Sequence, residues 1–317
     1  MTEGLSLQTI AEAGDRLRGI IHRTPIVTTH SEPWPLGAEL RLKAENFQVT
    51  GSFKIRGAFN KIAVLEQGSV QGVVTASSGN HGQAVAWAAR HFGLAAIVVV
   101  PKTAPQSKIH AAQSYGAEVE YCGTTSQERL ERAELIAKER GYAFVPPYDD
   151  PEVMSGQGTI GLEIVEDWPE VEVVLVPIGG GGLISGIATA IKSIRPDILV
   201  IGVEAAGAAK AWTSRLRHQR IILDHTDTIA DGIKTLALGV LTYPIVEQSV
   251  DHLLTVNDAA IMQAVRWLLF RHKLLAEPSG AATVAAFMTN PEWFSGRRAV
   301  ALLSGGNIDP NVLRSIL

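Results

Sequence analysis

A chain of 317 residues is long enough for two domains of ordinary size. Its 28 Lys and Arg stand against 32 Asp and Glu, a net charge of −4, so the positive excess that binds nucleic acid or anionic lipid is missing. Hydrophobic residues at 46% exclude a disordered chain, the single Cys122 excludes an internal disulfide, and no apolar run approaches the ~20 residues of a membrane helix. Met1 to Ile10 lacks the basic flank and apolar stretch of a secretory leader, so a soluble, cytoplasmic protein is expected.

Short β-branched runs alternate with helical patterns along the chain. Gly72–Ala76 reads as a buried strand, followed by a helix from about Asn80 to Phe92. Ala95–Val100 is the next strand, stopped by Pro101, and a helix from about Ala104 to Tyr115 leads into a strand over Ala117–Tyr121. Ser126–Arg140 is amphipathic, with Leu130, Ala133 and Ala137 on one face and Gly141 as its stop. Val171–Ile178, a helix, Ile198–Val203 and finally Ala299–Leu303 complete the pattern. Strands that alternate with helices pair in parallel through crossovers, and apolar runs without alternation are covered on both faces. The expected class is therefore α/β, with open, mostly parallel twisted sheets flanked by helices. In such sheets ligands sit at the carboxyl ends of the strands, so the loops that follow strands carry the chemistry.

Four loops stand out. In Thr50-Gly51-Ser52-Phe53-Lys54-Ile55-Arg56-Gly57-Ala58, Ser52 is placed to cap a helix, which puts Lys54 in the first turn. An ammonium is unfavourable there, and burial penalises its charge further. A neutral amine is what Schiff-base chemistry requires, although a lone lysine more often reaches water. Thr75-Ala76-Ser77-Ser78-Gly79-Asn80-His81-Gly82-Gln83 follows a strand and opens a helix, a setting that suits a bound carboxylate and suits plain capping equally. Pro177-Ile178-Gly179-Gly180-Gly181-Gly182-Leu183-Ile184-Ser185-Gly186 joins a strand to a helix through four glycines, whose amides can turn toward one anion; a phosphate is the natural guest. Leu303-Ser304-Gly305-Gly306-Asn307-Ile308-Asp309 follows the last strand as a glycine turn with a capping serine, or as part of a site.

Several chemistries are excluded. There is no Gly-Lys pair for a nucleotide P-loop, no His-Glu-x-x-His, no multi-thiolate zinc set and no Gly-x-Ser-x-Gly elbow. A dinucleotide loop stays open on these residues alone. Gly180, Gly182 and Ser185 approximate G-x-G-x-x-G, and Glu204 ends the next strand where a ribose-binding acid sits.

Taken together, the four loops resemble the fold-type II pyridoxal-phosphate (PLP) enzymes, and most closely the threonine/serine dehydratase and serine racemase family. The resemblance runs from about Thr24-Pro25 to Ile308, through Gly-Ser-Phe-Lys-x-Arg-Gly-Ala, Ser-Ser-Gly-Asn-His-Gly-Gln and Pro-Ile-Gly-Gly-Gly-Gly-Leu. It outweighs the dinucleotide reading, which explains neither Lys54 nor the Asn80 loop. It implies the tryptophan synthase β-like fold, with a small domain at 70–147 inserted in a large PLP-binding domain formed by 1–69 and 148–317. It also implies that Lys54 holds the cofactor as a Schiff base and moves the α-proton. Phe53 would pack beside the pyridine ring, and Asn80 would bond the phenolic oxygen. Gly179, Gly180, Gly181, Gly182 and Leu183 would cradle the phosphate, and Ser304 would meet the pyridine nitrogen. A neutral hydroxyl at that nitrogen makes a weaker electron sink, which favours expelling a β-hydroxyl. Ser77, Ser78, Asn80 and His81 would grip the substrate carboxylate.

The implied activity is L-threonine (and L-serine) ammonia-lyase, giving a 2-oxo acid and ammonia. Serine racemase and a hydroxyaspartate-type dehydratase are the alternatives, because Ser78 matches the second base of racemases. A non-catalytic amino-acid or nucleotide sensor is the rival of a different class, and Lys54 argues against it. The family's cation site falls on Glu204 and the Ala208 carbonyl, with Lys210 in the third position. A protonated lysine cannot ligate a cation. A divalent ion is therefore expected to be absent or weak, with the Lys210 ammonium in its place, while a monovalent ion on Glu204 and main-chain oxygens stays open. The end at Leu317 suggests a short catabolic-type enzyme without a feedback domain, and family likeness suggests a homodimer.

Overall fold

The computed structural model describes residues 4–29, 34–68, 70–102 and 106–317. Helix α1 (Leu7–Leu17) starts at a capping box in which Ser6 and Thr9 bond each other's backbone amides. Strands β1 (Ile26–Thr28) and β2 (Glu39–Ala44) pair antiparallel and lead into α2 (Lys54–Glu66). Next come β3 (Gly72–Ala76), α3 (Asn80–His91), β4 (Ala95–Val100), α4 (Gln106–Ser114), β5 (Glu118–Tyr121), α5 (Ser126–Arg140) and β6 (Ala143–Phe144). The chain returns through α6 (Pro151–Asp167), β7 (Val173–Pro177), α7 (Gly182–Ile194), β8 (Leu199–Ala205) and α8 (Lys210–Arg217). It ends with α9 (Thr242–Ser249), β9 (His252–Val256), α10 (Asp258–Trp267), α11 (Pro278–Thr289), β10 (Arg298–Leu303) and α12 (Pro310–Ile316).

Two sheets result. The larger has six strands in the order β1-β2-β10-β7-β8-β9, and the smaller has four in the order β5-β4-β3-β6. Every neighbouring pair is parallel except β1–β2. The four-stranded sheet is built wholly from residues 72–144, and the six-stranded sheet from chain on either side of that stretch. Strands β7 and β10 lie inside the larger sheet, and β7 is buried at every position, which is why its sequence runs apolar without alternation.

The α5 pattern forms as the residues dictate. Thr125 and Glu128 make a capping box, and Gly141 takes φ 66° to close the helix. The expected helix from Ala104 is described from Gln106 onward; residues 104 and 105 lie outside the described residues.

Three helices lock together. A Cβ on Gly57 would stand 2.6 Å from Val153 O, and one on Gly186 would stand 2.2 Å from Met154 O. Only glycine permits backbone contact this close, so α2 is pressed onto α6 and α6 onto α7. A buried charge cluster reinforces the first contact. Arg56 donates to Glu45 at 2.8 Å, to Glu163 at 2.6 Å and to Thr159 Oγ1 at 3.0 Å, while Lys43 meets the same Glu163 at 2.6 Å. The amino ends of α2 and α7, where Lys54 and the glycine run sit, are thereby held in fixed relation.

Candidate active site

Lys54 is the first residue of α2. Ser52 does not cap this helix, contrary to the sequence expectation. Phe53 precedes the helix in αR geometry without a side-chain cap, and Ser52 instead bridges to Gly305 with its hydroxyl buried and unpaired. The bridge is extended by Phe53, whose N–H donates to Ser304 O at 3.0 Å, so the Lys54 loop is stitched to the loop after β10. Phe53 packs on the core, with its ring centre 5.2 Å from Lys54 Nζ. The Lys54 amine donates to Pro147 O at 2.6 Å. Burial of that amine lowers its pKa to about 8, and the nearby Glu277 carboxylate opposes the shift.

Asn80 opens α3 at the carboxyl end of β3. Its Nδ2 donates to Glu277 Oε1 at 2.7 Å, and its Oδ1 accepts from Asn307 Nδ2 at 2.8 Å. Both ends of the amide are thus oriented, and one N–H of Nδ2 remains for a guest. Ser77 Oγ accepts from Gly79 N at 3.3 Å, and Ser78 is half-buried on the same loop. His81 is buried, and its Nε2 lies 3.1 Å from Val145 O. Burial and then the Lys54 charge hold its pKa down at about 3, so the imidazole is neutral and turned to the backbone. Its contribution to an anion site is confined to its amide. Among the described residues, the first-turn amides of Asn80, His81 and Gly82 meet no acceptor.

The glycine run lies between β7 and α7. Gly181 takes φ 98°, and the Gly180 carbonyl is pulled away by Thr242 Oγ1 at 2.7 Å and Gly239 N at 3.0 Å. A Cβ on Gly180 would strike the Tyr148 ring at 2.4 Å. The glycines therefore serve the packing of Tyr148 on one side as much as the approach of a guest on the other. Among the described residues, none of the amides of Gly179, Gly180, Gly181, Gly182 and Leu183 reaches an acceptor. Five unpaired amides at a helix amino end, together with the buried unpaired hydroxyl of Ser185, fit a phosphate.

Ser304 is buried directly after β10. The site thus gathers at the carboxyl ends of β3, β7 and β10. Sequence reasoning missed the strap from Val145 to Asp150 that joins the two sheets. Pro147 meets Lys54, Tyr148 underlies the glycines, and Asp149 accepts from the amides of Val240, Leu241 and Thr242 at 2.8, 2.9 and 3.2 Å. Glu277 was missed as well; its signal in the sequence is only that of a residue preceding Pro278 at a helix start.

The sequence profile of the family described as "Pyridoxal-phosphate dependent enzyme" matches residues 17–305. The chain belongs to that family. It is 44% identical over 314 residues to the L-threonine ammonia-lyase of Thermotoga maritima, a match that covers 99% of this chain and 78% of that protein. The structure of maize serine racemase superposes with a TM-score of 0.94 at 37% identity, covering 98% of this chain and 96% of that one. The processed form of threonine deaminase isoform 2 from Solanum lycopersicum superposes with a TM-score of 0.92 at 34% identity, covering 98% of this chain and 91% of that one. PLP fits what this chain presents: a desolvated lysine amine, an oriented Asn80 amide and unpaired amides for a phosphate.

Membership also removes the dinucleotide reading, and the geometry gives the reason. Glu204 is fully buried, with its carboxylate accepting from the amides of Ala211 and Trp212 at 2.9 and 2.8 Å and facing Lys210 at 3.2 Å. No ribose can reach it.

Proposed function

We propose that this PLP enzyme is an L-threonine (and L-serine) ammonia-lyase, which expels the β-hydroxyl and yields a 2-oxo acid and ammonia. The observation that carries the reading is the Lys54 amine, held against Pro147 O at 2.6 Å with its pKa lowered by burial, near the Glu277 carboxylate that orients the Asn80 amide. The 44% identity to an L-threonine ammonia-lyase supports the substrate class. Bound PLP supplies an aldehyde that captures the substrate amine and a ring that delocalises charge from the α-carbon. The amides of Gly179, Gly180, Gly181, Gly182 and Leu183 would hold its phosphate. Asn80 would offer its remaining Nδ2 hydrogen to the phenolic oxygen, Phe53 would pack beside the ring, and the neutral hydroxyl of Ser304 would meet the pyridine nitrogen. The amides of Asn80 and His81 grip the substrate carboxylate, with the hydroxyls of Ser77 and Ser78 beside them. Lys54 would be the residue that holds the aldehyde, and its amine, neutral in part because burial lowers its pKa, would be the base for the α-proton.

Residues 70–147 form a small domain whose approach to the rest excludes water from the cleft. The chain pairs as a cytoplasmic homodimer. Supporting the pairing, Trp212, Leu216, Ile222, Leu236 and Val240 are exposed apolar residues on α8 and the segment that packs beside it. Among the described residues no helix is long and apolar enough to cross a membrane. A free monovalent cation is not part of this reading, because the Lys210 ammonium already stands among the oxygens that would hold it.

Serine racemisation is the second reading, favoured by Ser78 on the loop beside Asn80 and by the fold shared with maize serine racemase. Incubating the holoenzyme with both enantiomers of threonine, serine and hydroxyaspartate, while following 2-oxo acid and enantiomer inversion, separates these activities. L-Threonine is expected to give the fastest release of 2-oxo acid. Inversion without 2-oxo acid would overturn the lyase reading, and binding without turnover would point to a sensor.

A further inference from the structure

Lys210 is fully buried and plays no part in the reaction described above. It is also the first residue of α8, a poor position for a cation because the helix amino end is itself positive. Helix stability therefore does not account for it.

Its surroundings do. Lys210 Nζ lies 2.6 Å from Ile178 O, 3.0 Å from Ile233 O, 3.1 Å from Ala208 O and 3.2 Å from Glu204 Oε1. Four oxygens converge on one nitrogen. A neutral amine has two N–H donors and would turn its lone pair on the remaining oxygens, whereas an ammonium donates three bonds and is attracted by all four. Burial draws the ammonium down from the usual lysine range, and the adjacent carboxylate opposes that shift. Carbonyls with one carboxylate are hard-cation ligands, and these separations suit a large monovalent ion, not magnesium, which takes oxygen at about 2.0–2.1 Å.

The three carbonyls come from three separate loops. Ile178 immediately precedes the glycine run. Ile233 follows Gly232, whose carbonyl oxygen is 3.1 Å from where a Cβ on Gly179 would stand. Ala208 lies in the turn between β8 and α8. One nitrogen thus ties the root of the glycine run to the turn packed against it.

We propose that Lys210 is a built-in cation: its ammonium fills an oxygen cage suited to a free monovalent ion and fastens the glycine run, so the protein needs no dissolved cation there. The cage is independent of the proposed activity; only the consequence for the phosphate rests on that reading.

The test compares wild type, Lys210→Ala and Lys210→Met in chelator-treated buffers of equal ionic strength. The cation is potassium, ammonium or tetramethylammonium, and wild type is also measured with added magnesium. Thermal unfolding is the primary readout, and cofactor retained through gel filtration is the second. Wild type should unfold at the same temperature in every buffer, within about 1 °C. Lys210→Ala should unfold roughly 5–10 °C lower in tetramethylammonium, because it leaves Glu204 buried and unpaired. Potassium or ammonium should restore about half of that loss or more by entering the emptied cage. Lys210→Met fills the cage without charge and should be weakened in all buffers alike. A merely structural lysine would show no ion-specific recovery.

A rise in wild-type stability with potassium or magnesium over tetramethylammonium overturns the proposal, as does a Lys210→Ala protein indifferent to the cation. If Lys210→Ala folds in no buffer, the wild-type comparison alone decides. If wild type retains no cofactor in any buffer, the PLP reading fails, and the unfolding temperatures still judge the cage.

Discussion

The most informative property of the site is the proton affinity of Lys54. The half-buried Lys54 donates to Pro147 O at 2.6 Å, and desolvation is the larger influence, with the Glu277 charge working in the opposite direction. A pKa of about 8 leaves about a quarter of the amine neutral at pH 7.5, against about one part in a thousand for an ordinary lysine. The gain in nucleophile is therefore on the order of 200-fold before any orientation is considered. Replacing Glu277 by Gln removes the opposing charge and should move the titration lower still. The assay is a brief pulse of acetic anhydride on the cofactor-free protein at a series of pH values, read as acetylation of the Lys54 peptide by mass spectrometry. A midpoint near 8, displaced downward in Glu277→Gln, is expected. The same shift has a stability signature. Between about pH 8 and 10.5 the unfolded chain binds more protons than the folded one, so the stability of the cofactor-free protein should rise through that window, by up to about 3 kcal/mol. A midpoint near 10.5, or a flat stability profile over that range, would refute the reasoning.

Other consequences follow from the same packing. Arg56→Met strands Glu45 and Glu163 and should cost about 3–5 kcal/mol in urea unfolding; a loss below 1 kcal/mol, the range of exposed pairs, would show that the cluster is solvated. Gly186→Ala forces a methyl to within 2.2 Å of Met154 O and should cost about 1–3 kcal/mol, with cofactor released faster because α7 carries the glycine run; unchanged melting would contradict the close approach. His81 should show no imidazole titration by NMR between pH 5 and 8. Its folded pKa is depressed, so the stability it contributes is present above about pH 6.5 and is lost as the pH falls toward 3. An inflection near 6.5 would place the ring in water.

Much of this was legible in the residues, for identifiable reasons. The β3-α3-β4 succession reads clearly because its strands are short, mainly apolar and β-branched, and its helix follows a glycine-containing loop. The placement of the glycine run ahead of α7 also followed from local pattern, whereas Lys54 does stand in the first turn of α2 but not for the capping reason given for it. The capping role of Ser52 fails because the bridge to Gly305 claims its backbone, a partner about 250 residues away that no local rule reveals. Helix α6 is obscured by Gly156, Gly158 and Gly161, which lower helix propensity while serving the α2 and α7 contacts; the Asp150-Pro151 start was its one local signal. Strand β2 alternates weakly, and it carries Lys43 into the interior, where a lysine is rare without a partner. Glu277 joins the site across 197 positions, and only tertiary structure brings it to Asn80.

Attachment of pyridoxal phosphate to Lys54 is the step on which the proposed chemistry depends. Borohydride reduction of the holoenzyme, followed by peptide mapping, tests it directly. One reduced phosphopyridoxyl group per chain on the peptide containing Lys54 is the predicted result. A label on any other lysine, or a coloured protein that reduction leaves unlabelled, would contradict it.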